Sequence, residues 1–506
     1  MADARVTVET GLGKLEGLEI DGVRVFRGIP FAKPPVGELR FRAPEPPEPW
    51  TGVRDATAFG GSAPQPPVAL VALPGMDVGA QSEDCLYLNV YAPAGAAPGT
   101  RKPVMVWIHG GGFVIGSGSQ IVYDARRLAQ RGDVVVVTIN YRLGCLGWMD
   151  LGDQDDLATE NAGLLDQIAA LRWVRDHVSV FGGDPDNVTI FGESAGGMSV
   201  GTLMGCPAAH GLFHKAIPQS GSCQGVHADR DSSAAVTAAM LSALGLTTPH
   251  VRQLREMPVE KLVAAQQQVS LQLMLTAGKN LLAFQPVVDG RTLPRHPLDA
   301  VREGLSRHVP LLVGSTRDEW KLFSFMDTQL RQLDDAGAAA RLQQRVGHAD
   351  GGKIVSGYRA GRPDADTASL WVAIESDRVF RIPAIRLAEA QLEHQPNVFM
   401  YLFTWPSPAF GGVLGACHAI ELPFVFDALH HPGAENFAGK GPEAERLAAA
   451  CVGAWSAFAH RGDPSAADVA WPRYDGARRA TLELGARCQV LEDPQGAERR
   501  LWDGVL

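Results

Sequence analysis

Residues 192–196 read Gly192-Glu193-Ser194-Ala195-Gly196 and follow an apolar, strand-like run, Val188-Thr189-Ile190-Phe191. A serine between two glycines at a strand-to-helix turn is the setting of a nucleophile elbow. The turn is too tight for a Cβ at the flanking positions, and its strain lifts the hydroxyl above the sheet. A helix starting at Ala195-Gly196-Gly197 aims its first N–H groups at any anion that forms beside the serine. The same five residues also fit an ordinary glycine-rich loop. A second stretch bears on that choice: His109-Gly110-Gly111-Gly112-Phe113, directly after the apolar run 104–108. Three consecutive glycines let backbone N–H groups converge on one point, which suits a developing oxyanion. Two such stretches, each after a buried-strand pattern, point to acyl transfer rather than to two flexible turns.

A serine hydroxyl needs a base at neutral pH, and the base needs an acid to orient it. With 14 histidines and 56 acidic residues, spacing alone does not choose them. Two segments stand out. Gly314-Ser315-Thr316-Arg317-Asp318-Glu319 follows the apolar run 309–313, so its acids lie at a strand end, where α/β sheets collect catalytic groups. Gly415-Ala416-Cys417-His418-Ala419-Ile420-Glu421 is a small-residue loop with one histidine.

The elements that must hold these groups begin strand-rich, with short strands expected over 5–9, 14–18 and 23–26. Further strands are expected over 86–91, 104–109, 134–140, 187–192, 309–314 and 398–403. The runs near 104, 134 and 187 are almost continuously apolar, as in parallel strands buried on both faces. Leu164, Leu165, Ile168, Leu171, Val174 and Val178 recur at helical spacing and predict a helix over 162–180, with others over 231–244 and 331–345. Alternating β and α order predicts an α/β class chain: a large, mostly parallel twisted central sheet with helices on both faces. No repeat or composition break divides it. One catalytic domain over 1–506 is expected, with helical cap insertions over the site within 231–410.

A net charge of −10 argues against nucleic acid or an anionic membrane as partner. The first residues carry an early acid and no apolar core of signal length, so no secretion signal is expected. No apolar stretch approaches the ~20 residues of a membrane span. Seven scattered cysteines without a Cys-x-x-Cys suit buried thiols in a reducing compartment, not a zinc ribbon or redox pair.

Three stretches together carry a resemblance: Glu83-Asp84-Cys85-Leu86-Tyr87-Leu88-Asn89-Val90, the glycine run at His109, and Phe181-Gly182-Gly183-Asp184-Pro185 leading into Gly192-Glu193-Ser194-Ala195-Gly196-Gly197. They are similar to type-B carboxylesterases of the α/β-hydrolase fold, the bacterial p-nitrobenzyl-esterase-like, animal carboxylesterase and cholinesterase group. The match runs from about Gly11 and thins in the final hundred residues. The resemblance implies Ser194 as nucleophile, Glu319 as acid beside a non-catalytic Asp318, and His418 as base. It implies oxyanion-hole N–H groups from Gly111, Gly112 and Ala195, with Glu193 and Ser222 tuning the site. It further implies ion pairs of Arg42 with Glu83 and of Arg142 with Asp166. The activity implied is hydrolysis of short to medium acyl or aryl esters through an acyl-enzyme, without metal or cofactor. A carbamate or activated amide would suit the same triad, and a scaffold or adhesion protein is the alternative of another class. A cytoplasmic, bacterial-type enzyme, monomeric or weakly self-associating, is expected.

The chain also departs from the family pattern. The secreted eukaryotic members pair the cysteine equivalent to Cys85 with an earlier one, and here none precedes it. No aromatic residue occurs over 60–86, where cholinesterases hold a quaternary ammonium by cation–π attraction. Trp320 follows Glu319, where many members have glycine, and a bulky side chain disfavours positive φ there. Phe113, Phe410 and Leu414 are candidates for an apolar pocket, each with a core role as the alternative.

Overall fold

The computed structural model describes residues 4–67, 75–152, 158–227, 229–276, 282–324, 327–347, 349–466 and 469–506. The extreme start used in the leader argument, residues 1–3, and parts of the expected cap lie outside the described residues. Among the described residues, thirteen strands form one sheet: β1 (Ala4–Thr10), β2 (Gly13–Ile20), β3 (Val23–Pro30), β4 (Val53–Asp55), β5 (Tyr87–Pro93), β6 (Lys102–Ile108), β7 (Val135–Ile139), β8 (Gly183–Glu193), β9 (Lys215–Gln219), β10 (Leu311–Thr316), β11 (Val398–Phe403), β12 (Thr481–Leu484) and β13 (Gln489–Leu491). Their order is β1-β2-β3-β5-β7-β6-β8-β9-β10-β11-β12-β13, with β4 beside β2. From β7 to β12 every neighbouring pair is parallel. Antiparallel pairs flank that block on both sides.

The parallel strands are apolar throughout because both faces are covered. Along β6, Val104, Val106 and Ile108 enter one core, while Met105 and Trp107 enter the other. Along β11 the split is Val398 and Met400 against Phe399, Tyr401 and Phe403. This is the two-residue period of a strand with a helical layer on each side. The helices Ala162–His177, Ala195–Met204 and Ile382–Leu392 supply Ile168, Leu171, Val200, Leu203 and Leu387 to the first core. The helices Arg126–Gly132 and Pro442–Arg461 supply Leu128, Leu447, Trp455 and Phe458 to the second.

The nine expected strands are all present, with ends differing by a few residues. The helix expected over 162–180 stops at His177. A 3-10 turn, Val178–Phe181, follows and closes at Gly182 with φ 87°. The helix expected over 331–345 is Asp335–Val346, started by Asp334, whose side chain accepts from Gly337 N. The 231–410 region contains helices together with β10 and β11. Strand β9 has no counterpart in the sequence reading. It is short and carries Lys215 and Pro218, both unusual in a central strand. Among the described residues no helix is long and apolar enough to cross a membrane.

Candidate active site

Four of the parallel strands deliver the expected groups from their carboxyl ends. Ser194 follows β8 and sits at φ 57°, ψ −124°, immediately before the helix Ala195–Met204. Positive φ is costly for serine, and the surroundings enforce it. Ser194 N donates to Gln219 O at 2.9 Å, and Met198 N closes the first helical turn on Ser194 O at 2.8 Å. A Cβ on Gly192 would lie 2.6 Å from the carbonyl oxygens of Gly196 and Ile108. One on Gly196 would run into Ile108 O as well. The glycines are there because β6, β8 and the helix converge at that point.

The loop after β6 packs directly on the serine. A Cβ on Gly110 would come 3.0 Å from Glu193 Oε2 and 3.1 Å from Ser194 Cβ. Gly111 and Gly112 have φ of 109° and 61°. The N–H groups of Gly111, Gly112 and Ala195 find no acceptor among the described residues. The loop is fixed from behind. His109 stacks on Tyr141 with centroids 4.5 Å apart, and Tyr141 OH donates to His109 O at 2.8 Å. Burial pushes His109 down to about 4, so the ring is neutral, and its Nδ1 donates to Gly110 O at 2.8 Å.

Glu319 lies just past β10 and His418 in the loop after β11. The fold brings them together: His418 Nδ1 donates to Glu319 Oε2 at 2.5 Å. Glu319 Oε1 accepts from Thr316 N at 2.8 Å, which orients the carboxylate. Asp318, by contrast, pairs with Arg317 and accepts from Ala416 N. His418 Nε2 lies 3.0 Å from Glu193 Oε1, an ionic contact without hydrogen-bond alignment. Ser194 Oγ has no hydrogen-bond partner among the described residues, as is common before substrate tightens such a site. Burial is the largest influence on His418 and pulls it down. The carboxylates of Glu193 and Glu319 outweigh it and hold the imidazole well above its usual range. Burial raises Glu193, against the attraction of His418.

Sequence reasoning assigned no role to Glu421, although it quoted the segment that ends there. Glu421 is fully buried, and its Oε1 accepts from Gln219 Nε2 at 3.2 Å. Gln219 in turn accepts from Trp455 Nε1 at 3.0 Å. Burial, then the nearby charges of Glu193 and Glu319, push Glu421 up to about 8. The rings of Phe323 and Phe380 lie 5.0 and 4.8 Å from that of His418. Neither was foreseen: Phe323 lies on the short helix Lys321–Ser324 and Phe380 on the π-helical turn Asp377–Arg381, far from His418 in sequence.

Ser222 Oγ donates to Gln224 Oε1 at 2.7 Å, and Gln224 Nε2 donates to Val379 O at 2.8 Å. One expectation needs correction. Arg42 does not hold Glu83. Arg40 does, through Nε at 2.7 Å and Nη2 at 2.5 Å, because Arg40 is buried and also serves the carbonyls of Leu254 and Met257. Arg42, beyond a turn at Phe41 with φ 65°, reaches Glu38 instead. The Arg142–Asp166 pair is present, with contacts of 2.8 and 2.7 Å. Trp320 needs no positive φ: its N donates to Ser376 Oγ at 2.9 Å, and its buried ring packs on Phe323. Phe113 and Leu414 are core residues, and Phe410 is 69 % exposed.

Comparison with known proteins agrees with this geometry. The sequence model described as the carboxylesterase family matches residues 3–502. The chain is 42% identical over 497 residues to a para-nitrobenzyl esterase of Bacillus subtilis (strain 168), covering 97% of both chains. It is 38% identical to a phenmedipham hydrolase of Pseudarthrobacter oxydans over 95% of both. The solved structure of a Geobacillus stearothermophilus carboxylesterase, 42% identical, superposes with a TM-score of 0.88 over 98% of this chain and 100% of that one. The chain belongs to the carboxylesterase family, carboxylic ester hydrolases built on the α/β-hydrolase fold.

Proposed function

We propose that this ester hydrolase works through Ser194 as nucleophile, His418 as base and Glu319 as orienting acid, on esters of short to medium acyl chains or aryl alcohols. The observation that carries the reading is the 2.5 Å hydrogen bond from His418 Nδ1 to Glu319 Oε2 beside the Ser194 turn. That bond leaves Nε2 as the proton acceptor. As Ser194 Oγ attacks the ester carbonyl, its proton passes to His418 Nε2, and the carbonyl oxygen becomes an oxyanion. The N–H groups of Gly111, Gly112 and Ala195 bind that oxyanion. The alkoxide leaves with the proton from His418, and water repeats the sequence on the acyl-enzyme. Glu193, close to Nε2, favours the imidazolium that forms in each step.

One catalytic domain over residues 1–506 is part of the proposal, supported by a sheet whose outer strands β1 and β13 come from opposite ends of the chain. So is a reducing, cytoplasmic setting, supported by seven free cysteines, of which only Cys488 is exposed. The test of the triad is steady-state hydrolysis of p-nitrophenyl esters of graded acyl length, with Ser194→Ala in parallel. The expected result is turnover of short and medium esters, with activity falling on the order of 10⁴- to 10⁶-fold in the variant. A variant as active as the parent overturns the assignment.

A further inference from the structure

Asp124, His430 and His431 meet outside the catalytic groups. Asp124 lies between the 3-10 turn Ile121–Tyr123 and the helix Arg126–Gly132. The two histidines follow the short helix Leu422–Val425, a few residues beyond His418. One ring nitrogen of each histidine and one carboxylate oxygen of Asp124 all lie within 4.8 Å of one another. We propose that these three side chains form a binding site for a divalent transition metal of the zinc class.

The separation within the cluster is the first argument. His431 Nε2 lies 3.4 Å from Asp124 Oδ2, and this nitrogen is buried with no hydrogen-bond partner. An imidazolium against a carboxylate closes to about 2.7–2.9 Å when it makes a charge-assisted hydrogen bond. Two ligands at about 2.0–2.1 Å from a tetrahedral centre lie about 3.4 Å apart. The gap matches the spacing of two ligand atoms on one tetrahedral metal.

The surrounding contacts prepare the other ligands. His430 Nδ1 lies 3.1 Å from Asp427 O. A carbonyl only accepts, so Nδ1 carries the hydrogen and Nε2 keeps a lone pair, the usual arrangement of a metal-bound histidine. Its ring lies against that of His431, with centroids 4.1 Å apart. Asp124 is clamped by Arg126, whose Nη2 donates to Oδ2 at 2.7 Å and whose Nε bridges both oxygens at 3.0 Å. That clamp fixes the carboxylate with Oδ2 facing His431 Nε2. Arg126 and, nearby, Arg127 also oppose a cation. The Asp427 carboxylate, 3.7 Å from Arg127 and 2.7 Å from Arg131, offsets part of that charge. Two imidazoles with one carboxylate select zinc, cobalt or nickel over magnesium or calcium, which take oxygen ligands. His430 is solvent-exposed, so water completes the coordination there.

The experiment is calorimetric titration of the tag-free, EDTA-stripped full chain with ZnCl₂ in a non-coordinating buffer. One zinc per chain is expected, undisturbed by excess MgCl₂. His430→Ala, His431→Ala and Asp124→Asn should each weaken binding at least about tenfold. Zinc should also raise the thermal midpoint of the parent and not that of the variants, since the metal ties the His418-bearing segment to the turn before Arg126. Absence of saturable binding overturns the proposal. So does binding that His430→Ala and His431→Ala leave unchanged, which would put zinc elsewhere on the chain. Matching thermal midpoints of the metal-free proteins establish that the variants fold. If His431→Ala does not, the exposed His430→Ala decides alone.

Discussion

Replacing Asp166 by alanine tests whether the buried pair behind the oxyanion loop behaves as its geometry requires. Asp166 is 0 % exposed and Arg142 2 %. Asp166 Oδ2 accepts from Arg142 N at 3.0 Å and Nε at 2.8 Å, and Oδ1 accepts from Nη2 at 2.7 Å. Arg142 Nη1 already lacks a hydrogen-bond partner. Removing the carboxylate therefore strands a whole guanidinium in the core, at a cost of about 3–5 kcal/mol. For 506 residues, at about 2.1 cal/mol/K each, the unfolding entropy is about 1.1 kcal/mol/K, so the midpoint falls by about 3–5 °C. Arg142→Met alone should fall by a similar amount, because it strands the carboxylate. The double variant Arg142→Met/Asp166→Leu removes both charges and should return to within about 2 °C of the parent. Differential scanning calorimetry at one scan rate reads all four proteins. If the double variant loses the sum of the two single losses, the pair is not a coupled unit and the argument fails.

Three further outcomes concern the site itself. His418 must be neutral to accept a proton, and two carboxylates favour its charged form, so kcat/KM for p-nitrophenyl acetate should rise with pH with its midpoint above 6.5. Glu193→Gln should move that rise to lower pH, and an unmoved profile would show that Glu193 does not act on the base. Gly112→Ala forces a side chain into φ 61° and displaces an oxyanion donor, so kcat should fall about 10²- to 10³-fold with little loss of thermal midpoint. An unchanged kcat would remove Gly112 from that role. Glu421, at about 8, is protonated at pH 7, so kcat of Glu421→Gln should match that of the parent there and diverge above pH 8, where the parent gains another buried charge. The unfolded carboxyl ionises from about 4.5, so between 4.5 and 8 the folded state binds more protons and stability falls as pH rises. The variant should lose that slope, and superimposable pH–stability curves would contradict it.

The parts of the site legible in the sequence were those compressed into a few neighbouring residues. Ser194, Ala195, Gly111 and Gly112 announce themselves because sterics at a tight turn demand glycine at fixed offsets. Glu319 and His418 stand out only as members of two candidate segments, because their partnership is made by the pairing of β10 with β11, and resemblance alone assigned their roles. Arg40 and Arg42 are equally plausible on paper, and the turn at Phe41 decides between them. The helix Pro442–Arg461 has no counterpart in the sequence reading. Strand β9 escaped because Lys215 and Pro218 break the apolar run that marks its neighbours. Glu421 was invisible as a functional group, since its ionisation is set first by burial and then by the charges of Glu193 and Glu319, all products of the tertiary fold.

The four loops that carry the site follow β6, β8, β10 and β11, and so leave the ribosome far apart in time. At about 5–20 residues per second, some 11–45 s separate the emergence of Ser194 from that of His418. Through that interval the elbow can form against β6 while the proposed base is still missing. On the proposed mechanism a nascent chain therefore carries a serine that is sterically primed and chemically silent. On the proposed mechanism, first turnover awaits the seating of β11 beside β10 and of the His418 loop that follows it, so ester cleavage in a translation mixture would time that step.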